Sequence, residues 1–96
     1  MATVYFISVY RQVKDPEKLA AYAKLAGPAI EAAGGRFLAR GVAAKAYEAG
    51  QLERTVIIEF ESLEQVTAMY NGPAYQRALA ALGDGAVRDI RVVAGV

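Results

Sequence analysis

The side chains of this 96-residue chain that could perform chemistry are arginines, carboxylates and tyrosines, because the sequence contains no Cys, His or Trp. Without these residue types the chain lacks thiol nucleophiles, imidazole bases and the usual protein ligands of zinc, copper and haem iron. Its paired glycines do not have the spacing of a phosphate-binding or dinucleotide-binding loop. We therefore expect no metal and no cofactor, and no catalytic residue can be assigned.

Two arginines and one glutamate are notable because each falls within an extended segment. Arg36 and Arg40 are four residues apart, so the two-residue period of a strand predicts that both guanidinium groups share the face opposite Phe37. Glu59 lies in the apolar segment 54–60, where a carboxylate needs a cation or water. Arg36 and Arg40 are both candidate partners for Glu59, and the sequence does not fix which one pairs.

Three tyrosines fall on the apolar stripes of predicted helices, where a ring either fills the core or borders a ligand pocket. Arg40 or Glu59 would supply the polar anchor of such a pocket. Ser8 lies alone among apolar residues and is expected to be a hydrogen-bonded hydroxyl, because no base can be assigned to activate it. The candidate ligand-binding residues are Tyr22, Arg40, Glu59, Tyr70 and Tyr75.

Composition limits the partners of the chain. Hydrophobic residues make up 55% of the sequence and charged residues 22%, which is typical of one folded domain over residues 1–96. The net charge of +1, with both signs interspersed, gives no basic face for nucleic acid. No apolar run is long enough to span a membrane or to form a signal peptide, so a cytoplasmic protein is expected.

The first half of the chain predicts a strand, a helix and a second strand. Residues 3–10 are extended and apolar on both faces, which is typical of a central strand. The sequence Asp15-Pro16-Glu17 predicts a helix start, and an apolar stripe continues to residue 33 with a kink expected at Pro28. Gly34 suits the left-handed position that ends a helix, and a strand follows from residue 36. The turn at residues 48–53 is expected to place Gly50 at positive φ.

The second half predicts a strand, an interrupted helix and a last strand. Residues 54–60 form the clearest strand, and Ser62 with Gln65 forms a capping box that opens a helix through Tyr70. Pro73 begins a further helical segment to residue 82, and residues 87–94 are extended. The order predicts an α+β, ferredoxin-like βαββαβ sandwich with a four-stranded antiparallel sheet. Because helices cover one sheet face only, a second copy is the simplest cover for the other.

Four segments of the chain carry a likeness to a known family, namely 34–41, 56–62, 70–75 and 93–96. They resemble the small bacterial family known as domain of unknown function 1330, and the likeness runs over nearly the whole chain. The resemblance implies membership of the dimeric α/β-barrel superfamily, in which two sheets pack face to face and some relatives are monooxygenases, isomerases or degradation enzymes. The family itself has no established reaction. Met69, Ala74 and Ala94 replace a Trp, an acid and a Glu that are common in the family, and Val42 replaces a glycine, which implies a less polar pocket.

The sequence is compatible with three functions. The favoured one is a homodimer that binds a small metabolite between sheet and helices. The second is a cofactor-free oxygenase or isomerase in which a tyrosine or Glu59 moves a proton, by analogy with the superfamily. The third is a structural dimer without a ligand, in which the same tyrosines are core residues.

Overall fold

The computed structural model describes residues 3–96, which form a four-stranded antiparallel sheet with three helices packed on one face. The predicted ferredoxin-like order is confirmed, with the second helix divided in two at Gly72. No helix within residues 3–96 is long and apolar enough to cross a membrane. The elements are β1 (Val4–Val13), α1 (Pro16–Ala32), β2 (Arg36–Val42), β3 (Arg54–Phe60), α2 (Leu63–Asn71), α3 (Pro73–Leu82) and β4 (Ala86–Ala94).

The sheet has the order β2-β3-β1-β4, so β1 pairs with a neighbour along each edge, as its two apolar faces predicted. Phe6 and Tyr10 point to the helices and are almost fully buried, whereas Ile7 and Val9 point to the other face. The strand is also longer than residues 3–10, because it continues to Val13 opposite Ala86.

Local signals position the helices as expected. The Asp15 carboxylate accepts hydrogen bonds from the backbone N–H groups of Glu17 and Lys18, and α1 continues through Pro28. At the start of α2, Ser62 Oγ accepts a hydrogen bond from the N–H of Gln65 at 3.1 Å. These contacts satisfy N–H groups that a helix start leaves free, and the predicted starts of α1 and α2 are confirmed.

Two predictions about glycine had different outcomes. Gly34 has a φ of +95° directly after α1, as predicted for the end of that helix. In the connection between β2 and β3, Glu48 takes a φ of +53°, so the prediction for Gly50 was wrong. Because the N–H of Gly50 donates to the carbonyl of Tyr47 at 2.9 Å, Gly50 is the last residue of the turn and Glu48 occupies its strained position.

The two faces of the sheet differ in their cover. The side chains on the helix face pack into one hydrophobic core together with Tyr22, Ile30 and Tyr75 from the helices. The other face, which we call the open face, combines half-buried apolar side chains with charged ones and has no helix over it. Residues of the open face include Tyr5, Ile7, Val9, Arg36, Ile57, Glu59, Asp89, Arg91 and Val93.

Candidate functional site

A bulge in β2 places its two arginines on different faces of the sheet. Phe37 lies opposite Ile58, but the next paired residues are Ala39 and Ile57, so Leu38 is an extra residue in the strand. Arg40 therefore lies opposite Val56, which faces the helices. The prediction that Arg36 and Arg40 share a face was wrong, because one extra residue shifts the alternation by one position.

Arg36 remains on the open face and is the partner of Glu59. The two residues lie directly opposite each other, and Arg36 Nε is 3.3 Å from Glu59 Oε1. Of the two candidate partners, the structure thus selects Arg36. Glu59 is separated from Tyr22 and Arg40 by the thickness of the sheet, so these three predicted site residues do not converge.

A cleft opens between α1 and the helix face of the sheet, and we call it the helix-side cleft. Its free volume is about 30 Å³, which exceeds the roughly 10–15 Å³ that a water-sized group needs at minimum. The aromatic rings of Tyr10, Tyr22 and Phe37 contribute to its walls. Its polar residues are Ser8, Arg40 and Arg54.

The polar groups of the helix-side cleft lack the partners that buried groups normally have. Ser8 is 3% exposed, and its Oγ has no hydrogen-bond partner, contrary to the prediction that this hydroxyl is satisfied. Arg54 Nε is buried and unpartnered as well. The Arg40 guanidinium carbon lies 4.1 Å from the centre of the Phe37 ring, which is a cation–π distance.

Behind Tyr22, a buried hydrogen-bond network connects α1, α3 and β4. The hydroxyls of Tyr22 and Tyr75 are 2.7 Å apart, and Arg88 Nη1 donates to the Tyr22 hydroxyl at 3.0 Å. Burial raises the pKa of Tyr22 well above its usual value, Tyr75 raises it further, and Arg88 opposes both effects. Tyr22 is therefore a neutral phenol at physiological pH and does not act there as a phenolate base.

The five predicted ligand-binding residues occupy four places in the fold. Tyr22 and Arg40 line the helix-side cleft, whereas Tyr75 is fully buried behind Tyr22. Tyr70 packs against Tyr75, with ring centres 5.1 Å apart, and lines a separate groove between α2 and β4. Glu59 lies on the open face. Whether any of the five binds a ligand remains a prediction.

Three residues near the cleft were not among the predicted ligand-binding residues. Arg88 and Arg54 fall within the predicted strands 87–94 and 54–60, and neither was assigned a role. The strand pattern places Arg54 on the same face as the buried Val56, and this alternation is a signal that could have assigned it to the helix side. Ser8 was singled out, but the sequence could not show that its hydroxyl lacks a partner. Within residues 3–96, the structure contains no cluster of three or more acidic side chains that could hold a metal ion.

The sheet topology and a match to a family model define the class of this protein. The sheet order and the helices on one face are those of ferredoxin-like α+β proteins. The chain belongs to the family described as domain of unknown function (DUF1330), whose family model matches residues 3–96. No curated protein matches the chain.

Solved structures with the same fold come from several bacteria. A protein of unknown function from Rhodopseudomonas palustris is 21% identical, with a TM-score of 0.73 over 98% of this chain and 81% of that one. A dimeric ferredoxin-like protein of unknown function from Thermobifida fusca is 16% identical, with a TM-score of 0.62 over 99% and 91%. SnoaB, a cofactor-independent oxygenase from Streptomyces nogalater, is 11% identical, with a TM-score of 0.67 over 100% and 95%. At these identities the similarity establishes the fold alone.

Proposed function

We propose that this protein is a homodimer whose subunits each bind a small metabolite in the helix-side cleft. The observation that supports binding is the Ser8 hydroxyl, a buried polar group without a partner at the wall of a cleft. A buried polar group that lacks a hydrogen bond costs about 1–3 kcal/mol, and a ligand atom in the cleft would remove that cost. The arginines at the same cleft would supply the polar anchor.

The open face supports the homodimer. Ile7 and Ile57 lie opposite each other at its centre and are only half-buried in the single chain, while Val93 is 51% exposed. A domain of this size buries only about 60–65% of its unfolded surface, so covering this face would add apolar burial. The protein from Thermobifida fusca, which has the same fold, is described as dimeric.

The open face also carries charges of both signs. Arg36 pairs with Glu59 towards one edge of the sheet, and Arg91 pairs with Asp89 at 3.1 Å towards the other. Two copies related by a twofold axis can bring opposite charges together, because each copy supplies both signs.

Light scattering during size-exclusion chromatography tests the homodimer. Wild-type protein at micromolar concentration is expected to have twice the mass of the chain. Ile57→Glu places a carboxylate at the centre of the proposed interface and is expected to give monomers. Leu25→Glu is the matched control, because Leu25 is exposed on the helix side of the molecule. A monomeric wild-type protein would exclude the dimer, as would loss of the dimer in the Leu25 variant alone.

Native mass spectrometry tests metabolite binding. Wild-type protein incubated with a small-molecule extract of the expressing cells is expected to show additional mass on each subunit. Gly27 lines the cleft, and a Cβ atom there would meet nothing within 4 Å, so Gly27→Leu can fill the cleft without a backbone clash. This variant should lose the additional mass, and Ala21→Leu on the exposed side of α1 should keep it. Wild-type protein that shows only its own mass would refute binding.

A further inference from the structure

We propose that the ligand of the helix-side cleft is a small organic carboxylate, bound through its carboxylate group by Arg40, Arg54 and Ser8. The proposal rests on the proposed function, because it names the chemical class of the metabolite. It depends on three observations: the charge of the cleft, the unused hydrogen-bond donors and the apolar walls.

The charge of the cleft is positive and not neutralised. Its lining contains Arg40 and Arg54 and no acidic residue. The ion pairs found within residues 3–96 lie elsewhere, and none brings a carboxylate within 4 Å of either arginine. Because the whole chain carries a net charge of only +1, two cations without acidic partners in one cleft are a local excess. Such an excess favours an anionic ligand.

The donors of the cleft match the acceptors of a carboxylate. Arg54 Nε and Ser8 Oγ are buried without partners, and each can donate a hydrogen bond. Arg40 is held against the Phe37 ring, and the bulge at Leu38 is what turns it towards this side of the sheet. A planar guanidinium group binds a carboxylate through charge-assisted hydrogen bonds, which are the strong type.

The walls of the cleft indicate what the rest of the ligand contains. The rings of Tyr10 and Phe37 give the cleft apolar walls, so the remainder of the ligand is expected to be an organic, apolar group.

Isothermal titration calorimetry with matched pairs of probes tests the proposal. Acetate, hexanoate and benzoate are each compared with the corresponding amide, which has a similar shape and no charge. At least one carboxylate is expected to bind to each subunit. Its amide should bind about tenfold to hundredfold more weakly, because the ion pair with the arginines is lost and one acceptor oxygen is replaced by an NH2 donor. Binding of the carboxylate should weaken as the salt concentration rises.

Substitutions at single arginines locate the site. Arg40→Met keeps an unbranched apolar stem, removes the charge and should weaken carboxylate binding by about tenfold or more. Amide binding should weaken less, because the amide forms no ion pair with Arg40. Arg54→Met should act in the same direction. If Arg54→Met does not fold because Arg54 is half-buried, Arg40→Met still tests the site, because Arg40 is exposed and its substitution should not destabilise the fold. Arg36→Met is the matched control, because it makes the same change on the open face and should leave binding intact.

The outcomes separate this proposal from the proposed function. Extra mass that is lost in Gly27→Leu but comes from a neutral compound would overturn the carboxylate class and leave metabolite binding in place. The class would also be overturned by amides that bind as tightly as carboxylates, or by unchanged carboxylate affinity in Arg40→Met. A wild-type protein that retains no mass and binds no probe would overturn both proposals.

Discussion

The hydrogen-bonded tyrosine pair behind the cleft predicts an unequal response to two similar substitutions. Tyr22→Phe removes the only hydrogen-bond partner that the structure gives to the fully buried Tyr75 hydroxyl, and it also removes the acceptor of Arg88. Tyr75→Phe removes one hydrogen bond but leaves Tyr22 in contact with Arg88. The two variants delete the same atom type from neighbouring positions and differ in what they leave unpaired.

The structure sets the expected magnitudes. A buried polar group left without a partner costs about 1–3 kcal/mol, whereas the net contribution of a typical hydrogen bond is about 0.5–1.5 kcal/mol. Tyr22→Phe should therefore lower the free energy of unfolding by about 2–3 kcal/mol and Tyr75→Phe by about 1 kcal/mol. The double variant leaves no unpaired tyrosine hydroxyl, so its cost should be smaller than the sum of the single costs by about 1 kcal/mol.

Urea unfolding followed by far-ultraviolet circular dichroism measures these differences. All variants must be compared at one protein concentration, because the stability of a dimer depends on concentration. Each 1 kcal/mol corresponds to a shift in melting temperature of about 4–8 °C for a domain of this size. If Tyr75→Phe costs as much as Tyr22→Phe, or if the two costs are additive, the proposed role of Tyr22 as the centre of the network is wrong.

Two further predictions concern pH and backbone strain. Since the folded-state pKa of Tyr22 is raised, its contribution to stability is fully present below about pH 10 and is lost as pH rises towards the folded-state value. Urea unfolding at about pH 8 and about pH 11 should therefore show a smaller loss of unfolding free energy at the higher pH in Tyr22→Phe than in wild type. The exposed Tyr47→Phe is the control. An alkaline loss that is unchanged in Tyr22→Phe would contradict this reasoning. Gly34→Ala should lower the free energy of unfolding by about 1–2 kcal/mol, because φ is +95° and the new Cβ would lie 2.7 Å from Gln65 Nε2. Glu48→Gly should relieve strain at a positive φ and should not lower the free energy of unfolding. Equal costs for the two substitutions in urea unfolding would show that positive φ is not the cause.

Local rules in the sequence predicted most of the fold. The capping residues Asp15 and Ser62 marked the starts of α1 and α2, and Gly34 marked the end of α1, because the contacts of each lie within a few residues. The predicted order made β2 and β3 consecutive strands, and consecutive strands commonly pair, so Arg36 was a candidate partner of Glu59.

The candidate site was less predictable, because it depends on register. Strict alternation placed Arg40 with Arg36, and nothing in the sequence indicated that Leu38 would be an extra residue in β2. The same limit applies to Ser8, since a missing hydrogen bond can be recognised only when all surrounding atoms are positioned. The turn at Glu48 shows a third case, in which the most permissive residue did not occupy the strained position.

The arginine side chains report directly on whether the ligand lies in the helix-side cleft. Nuclear magnetic resonance of ¹⁵N-labelled protein can follow the Nε–Hε signals of individual arginines while the tightest-binding carboxylate is added. Signals of Arg40 and Arg54 are expected to shift in proportion to site occupancy, and that of Arg36, paired with Glu59 on the open face, should stay in place. A shift confined to Arg36 would place the ligand on the opposite side of the sheet and contradict the proposed site.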